Sequence, residues 1–195
     1  MTARSATRHT SRLSTGFGVF AECLLTGVWM ALAALPLLTA PAAFAAGARH
    51  LRRHLRHDAS GWRLFAADFT AAARGGWLVG LSGLGALWLL WLNLAAVRAG
   101  LPGGPFTGTV GVLAFIAAVV AVLRAAAAWH PGARWRDLLP AAARRTVRDP
   151  AGSLLLVGGF AVVAASAWFM APLAVPVTGA VAAAAVAVET RYAAR

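Results

Sequence analysis

The chain contains no lysine, one cysteine, one tyrosine and only six acidic residues in 195. Without lysine there is neither Schiff-base chemistry nor a phosphate-loop lysine, so any coupled ATP hydrolysis must come from another protein. A lone Cys23 excludes an intramolecular disulfide and a thiolate metal cluster. So few carboxylates, with no H-E-x-x-H or G-x-S-x-G pattern, leave acid, base and nucleophile constellations without material. The chain is therefore read as a non-enzyme, with no catalytic residue, no cofactor and no metal assigned.

Polar surface is equally short. At 60% hydrophobic and 12% charged, with mean hydropathy +0.71, the chain cannot coat a soluble domain of this length. What is present is arginine, which supplies all 18 basic residues and a net charge of +12. A clustered basic surface suits nucleic acid. Here the arginines flank apolar runs instead, which points to the positive-inside rule and to anionic lipid head groups, and nucleic acid is set aside.

Five apolar runs approach the length that crosses a hydrocarbon layer: Phe17–Leu35, Trp77–Val97, Gly108–Ala128, Ser153–Met170 and Leu173–Val188. Five crossings alone would leave one basic cluster outside. A sixth, Pro41–Asp58, removes the conflict, although its arginines allow only its first half into hydrocarbon. Seventeen of the 18 arginines then lie inside, with Arg98 the exception, and both termini are cytoplasmic. Whether 41–58 fully crosses stays open. The outer connections become Pro36–Pro41, Arg98–Pro105 and Pro172–Pro176, all with turn chemistry. Arg4, Arg8 and Arg12 before the first run, with Ala43-Phe44-Ala45 after it, imitate a signal peptide, but the arginines that follow favour an uncleaved anchor.

The expected fold is thus all-α: a polytopic membrane protein of about six helices, five of them clear spans, behind a cytoplasmic tail at 1–15 and forming a single domain over 16–192. Two amphipathic connectors should lie in the inner interface, with Trp62 and Trp135 at head-group depth. Both follow the pattern His-x4-Trp-Arg (His57, Trp62, Arg63 and His130, Trp135, Arg136), which suggests a pseudo-repeat over 41–97 and 106–170, with chance the alternative. Arg49, Arg52, Arg53, Arg56, Trp62, Arg63, Trp135, Arg136, Arg144, Arg145 and Arg148 are the candidate lipid or partner contacts.

Glu22 and Arg124 are the costliest intramembrane charges. An ion pair between them is expected, with snorkelling of each to head groups as the alternative. His50, His54 and His57 share a helical stripe that could ligate zinc, but neighbouring arginines repel a cation; ordinary amphipathic side chains are the first reading, and a pH-dependent contact with lipid or a partner fits better than a metal. Gly76-x3-Gly80 and Gly179-x3-Ala183-x3-Ala187 allow close helix approach, within the chain or in a homodimer.

Thr26-Gly27-Val28-Trp29 through Pro36, followed by Thr39-Ala40-Pro41-Ala42-Ala43, resembles the YesL-like family of bacterial integral membrane proteins, a domain of unknown function. The likeness runs from about Gly16 to Tyr192 and departs at Thr26, where asparagine is frequent, and at Ala40, where glycine is usual. The resemblance implies a multi-pass inner-membrane protein associated with carbohydrate uptake, with the permease or ATPase subunits of an ABC transporter as partners, and it transfers no site residue. An accessory or scaffold role is the leading expectation. A small secondary transporter or channel, acting as a homo-oligomer, is the competitor.

Overall fold

The computed structural model describes residues 21–56, 58–59, 61–100 and 103–194, without the side chains of 171–173. Among them there is no strand. The helices are α1 (Ala21–Ala33), a 3-10 turn (Leu37–Thr39), α2 (Ala40–Leu55), α3 (Trp62–Arg98), α4 (Gly104–Ala128), α5 (Trp135–Arg148), α6 (Pro150–Phe169) and α7 (Ala171–Ala193). Four of these, α3, α4, α6 and α7, are long and apolar enough to cross a membrane. Their outward faces carry large exposed hydrophobics such as Trp88, Leu89, Leu113, Leu154 and Phe169, a surface that water would not tolerate and lipid does.

α2 is the core of the bundle. Its Ala42, Ala43, Ala45, Ala46, Gly47 and Ala48 are all buried, so short side chains let α3, α4 and α7 pack directly on its backbone. α1 folds back on α2 through the Leu35–Thr39 turn, where the Thr39 hydroxyl reaches the Ala33 and Pro36 carbonyls at 2.6 and 2.7 Å. A Cβ at Gly80 would run into the Leu38 backbone, and one at Gly179 into the Cys23 carbonyl. Both small-residue stripes therefore serve packing within the chain, at α3 on the 3-10 turn and at α7 on α1.

The structure departs from the sequence expectation in three places. The first expected interfacial helix and the span after it are one 37-residue helix, α3, because Gly75-Gly76 does not break it. Those glycines instead make room for the Trp135 indole and Ala42. At 1.5 Å per residue α3 is about 55 Å long, well beyond a ~30 Å hydrocarbon layer. The second connector does form a separate helix, α5, cut off by a turn at Gly132 with φ +89° and by Asp149-Pro150. The two His-x4-Trp-Arg segments consequently differ in structure: Trp62 is 64% exposed, whereas Trp135 is 6% exposed and buried against α3, not at a head-group surface. Finally, Pro172–Pro176 is not a turn but part of α7: Pro172 falls in the first turn, where the donor it gives up has no intrahelical partner anyway, and Pro176 lies inside the helix. The α6–α7 connection is Met170 alone. The first expected span begins outside the described residues, as do Arg4, Arg8, Arg12 and His57.

Candidate functional site

Charge in this protein is concentrated where α4 ends. Arg124, in the last turns of α4, is fully buried and donates from Nη2 to the Asp149 carboxylate at 2.9 Å and from Nη1 to Glu189 at 3.2 Å. Nη2 also reaches the Asp149 carbonyl at 3.2 Å and the Ser153 hydroxyl at 3.4 Å. Arg145 of α5 holds the second Glu189 oxygen at 3.0 Å, and Arg191 of α7 approaches Asp149 at 3.7 Å. Local sequence explains Asp149: it is the N-cap of α6, accepting from the Gly152 N–H at 3.3 Å, with Pro150 at the first helical position. The hydrogen bond from Arg124 holds the Asp149 carboxyl below the ordinary aspartate range, against the opposing effect of burial. A Cβ at Gly152 would collide with both the Asp149 and Arg124 side chains, so glycine is the residue that lets them meet. The result ties α4, α5, α6 and α7 together through alternating charges.

The expected pairing of Glu22 with Arg124 is not the one formed. The Glu22 carboxylate pairs with His50 Nε2 at 2.6 Å, across the α1–α2 hairpin, with the Trp29 ring edge-on to the imidazole at 5.1 Å and also beside Phe65. Linear sequence places both charges toward one end of their helices but is silent on which way each helix is turned. Rotation aims Glu22 at α2 and Arg124 at α6 and α7.

The candidate contact arginines divide into two groups. Arg49 and Arg53 clamp the buried Asp68 of α3 at 3.2 and 2.8 Å. Arg52 donates to the Trp129 carbonyl at 2.7 Å, satisfying an acceptor at the α4 C-terminus where a cation is also favoured by the helix dipole. With Arg145 on Glu189, these four hold the bundle together. Arg56, Arg63, Arg144 and Arg148 are exposed, as is Trp62, and these four arginines have no carboxylate partner among the described residues. Arg136 is exposed and lies 3.9 Å from its neighbour Asp137. Asp68, Asp149 and Glu189 were missed as partners, although with so few acids each one beside an arginine-rich segment was a signal.

Metal ligation finds no three-residue cluster of His, Cys, Asp or Glu among the described residues, and His50 is engaged by Glu22. Two neighbouring cavities lie among the described residues. One, of about 440 Å³, lies between α1, α2, α3, α4, α6 and α7, and Ser82 and Thr178 are the only side chains lining it that bear a polar oxygen or nitrogen. Each of these hydroxyls is spent on its own helix, at Val79 and Val175. The other, of about 850 Å³, lies between α3 and the start of α5 and is lined by Arg74, Arg134 and Arg136.

Fold and site together define a helical membrane protein whose charges cross-link one end of an apolar bundle. No family model, curated protein or solved structure matches the chain.

Proposed function

We propose that the chain is a non-enzymatic accessory or scaffold subunit in the bacterial inner membrane, with both termini and the arginine-rich end cytoplasmic. The observation that carries this reading is the division of the arginines. Those that the bundle needs are neutralised inside it, while Arg56, Arg63, Arg144 and Arg148 stand exposed without carboxylate partners among the described residues. Unpaired surface arginines suit an acidic partner face or anionic lipid and contribute little to folding. The orientation follows from the positive-inside rule. Association with a carbohydrate-uptake ABC system rests on the resemblance to the YesL-like family.

A transporter is the weaker reading because its solute site would gather polar groups near the bilayer midplane. The 440 Å³ cavity instead offers two hydroxyls already bonded within their helices. Affinity purification from native membranes with mass spectrometry tests the proposal. Permease or ATPase subunits should accompany the wild-type chain and fall away when Arg56, Arg63, Arg144 and Arg148 are changed to Gln. Recovery of the wild-type chain alone overturns it.

A further inference from the structure

We infer that the chain binds one anionic glycerophospholipid, its phosphate among the exposed Arg74, Arg134 and Arg136 and an acyl chain in the apolar cavity. The two cavities are neighbours: Val79 and Ser82 line both. On α3 the cationic end begins at Arg74 and the apolar cavity extends to Leu87, so at 1.5 Å per residue the pair covers about 20 Å along the helix. That is the layout of a phospholipid, charged at one end and hydrocarbon beyond it.

The head-group end carries uncompensated positive charge. Arg74 and Arg134 have no carboxylate partner among the described residues, and Arg136 has only the exposed Asp137 at 3.9 Å. Guanidinium groups recognise phosphate oxygens through paired N–H donors, and Trp129 and Trp135 wall the site with aromatic surface. Trp135 is fixed there, its indole N–H donating to the Ala72 carbonyl at 2.9 Å while the ring lies on Gly75 and Gly76. The tail end has almost no polar lining and a volume of about 440 Å³, within the range of specific ligand pockets. An inorganic anion would leave that cavity unfilled, and a zwitterionic phospholipid would bring a cation beside the three arginines along with its phosphate, whereas an anionic head group brings net negative charge alone. This site stands independently of any transporter partner.

The full chain, purified in mild detergent, is examined by native mass spectrometry and thermal melting with added phosphatidylglycerol, phosphatidylcholine or inorganic phosphate. Phosphatidylglycerol should be retained and raise the melting temperature, phosphatidylcholine should be retained at least about tenfold less, and phosphate alone should do neither. Changing Arg74, Arg134 and Arg136 together to Gln should weaken phosphatidylglycerol retention by at least about tenfold. Gly83 lines the apolar cavity and a Cβ there meets open space, so Gly83→Phe should fill the cavity and lower retention while the lipid-free protein melts no lower. Equal retention of the two lipids, stabilisation by phosphate alone, or unchanged phosphatidylglycerol retention in Gly83→Phe would overturn the site. Should the arginine variant fail to fold, Gly83→Phe decides.

Discussion

Arg124 and Asp149 meet at 2.9 Å across 25 residues of sequence, joining the last turns of α4 to the N-cap of α6. Removing one partner of a buried pair leaves an uncompensated charge and typically costs about 3–5 kcal/mol. Arg124→Gln should therefore lower the melting temperature in detergent sharply, and more than Asp149→Asn, because it removes a buried guanidinium bonded to Glu189 as well as to Asp149. Equal melting of the wild type and Arg124→Gln would mean that the pair does not hold the helices.

The same pair sets a pH dependence. Asp149 titrates below its ordinary value in the folded chain, so its contribution is fully present above the unfolded value of about 3.9 and is lost as pH falls through the lower folded value. Melting temperature should drop below about pH 4. In Asp149→Asn that acid limb should be shallower, and an identical limb in both proteins would refute the assignment.

Glycine-to-alanine substitutions should separate by position. At Gly80 and Gly152 a Cβ meets the Leu38 backbone and the Asp149–Arg124 pair, and both variants should be destabilised. At Gly85 a Cβ meets nothing, so alanine should be neutral or stabilise by about 0.5–1 kcal/mol through helix propensity. Thermal melts of the three variants check the ordering, which reverses if the helices are packed otherwise.

Trp135→Phe should cost about 1 kcal/mol or more, since it leaves the buried Ala72 carbonyl without the indole N–H at 2.9 Å. Trp62→Phe, at a site 64% exposed, should be close to neutral for folding. Similar losses at both positions would contradict the different burial of the two tryptophans.

Apolar length alone marks α4 and α6 and the membrane class, because backbone desolvation in lipid demands long uninterrupted helices. Amphipathic spacing marks α5, which forms as a separate helix at Trp135–Arg148. The rotation of each helix about its axis is not written in hydropathy, so the partners of Glu22 and Arg124 were out of reach. The buried α2 was also hard to place: its alanines look mildly apolar in sequence, yet small size is what puts them at the centre. Asp149-Pro150 did carry a readable helix start, and an acid there facing arginine-rich segments was the most accessible clue to the charged end.

A cytoplasmic arginine-rich end is open to single-cysteine labelling. In a Cys23→Ala background, Val147→Cys, at an 82% exposed site on α5, and Phe106→Cys, at a 76% exposed site near the start of α4, report the two ends. A membrane-impermeant maleimide should label Val147→Cys only in inverted vesicles and Phe106→Cys only in intact spheroplasts. Labelling of Val147→Cys from the outside would contradict the orientation, and with it the cytosolic docking face.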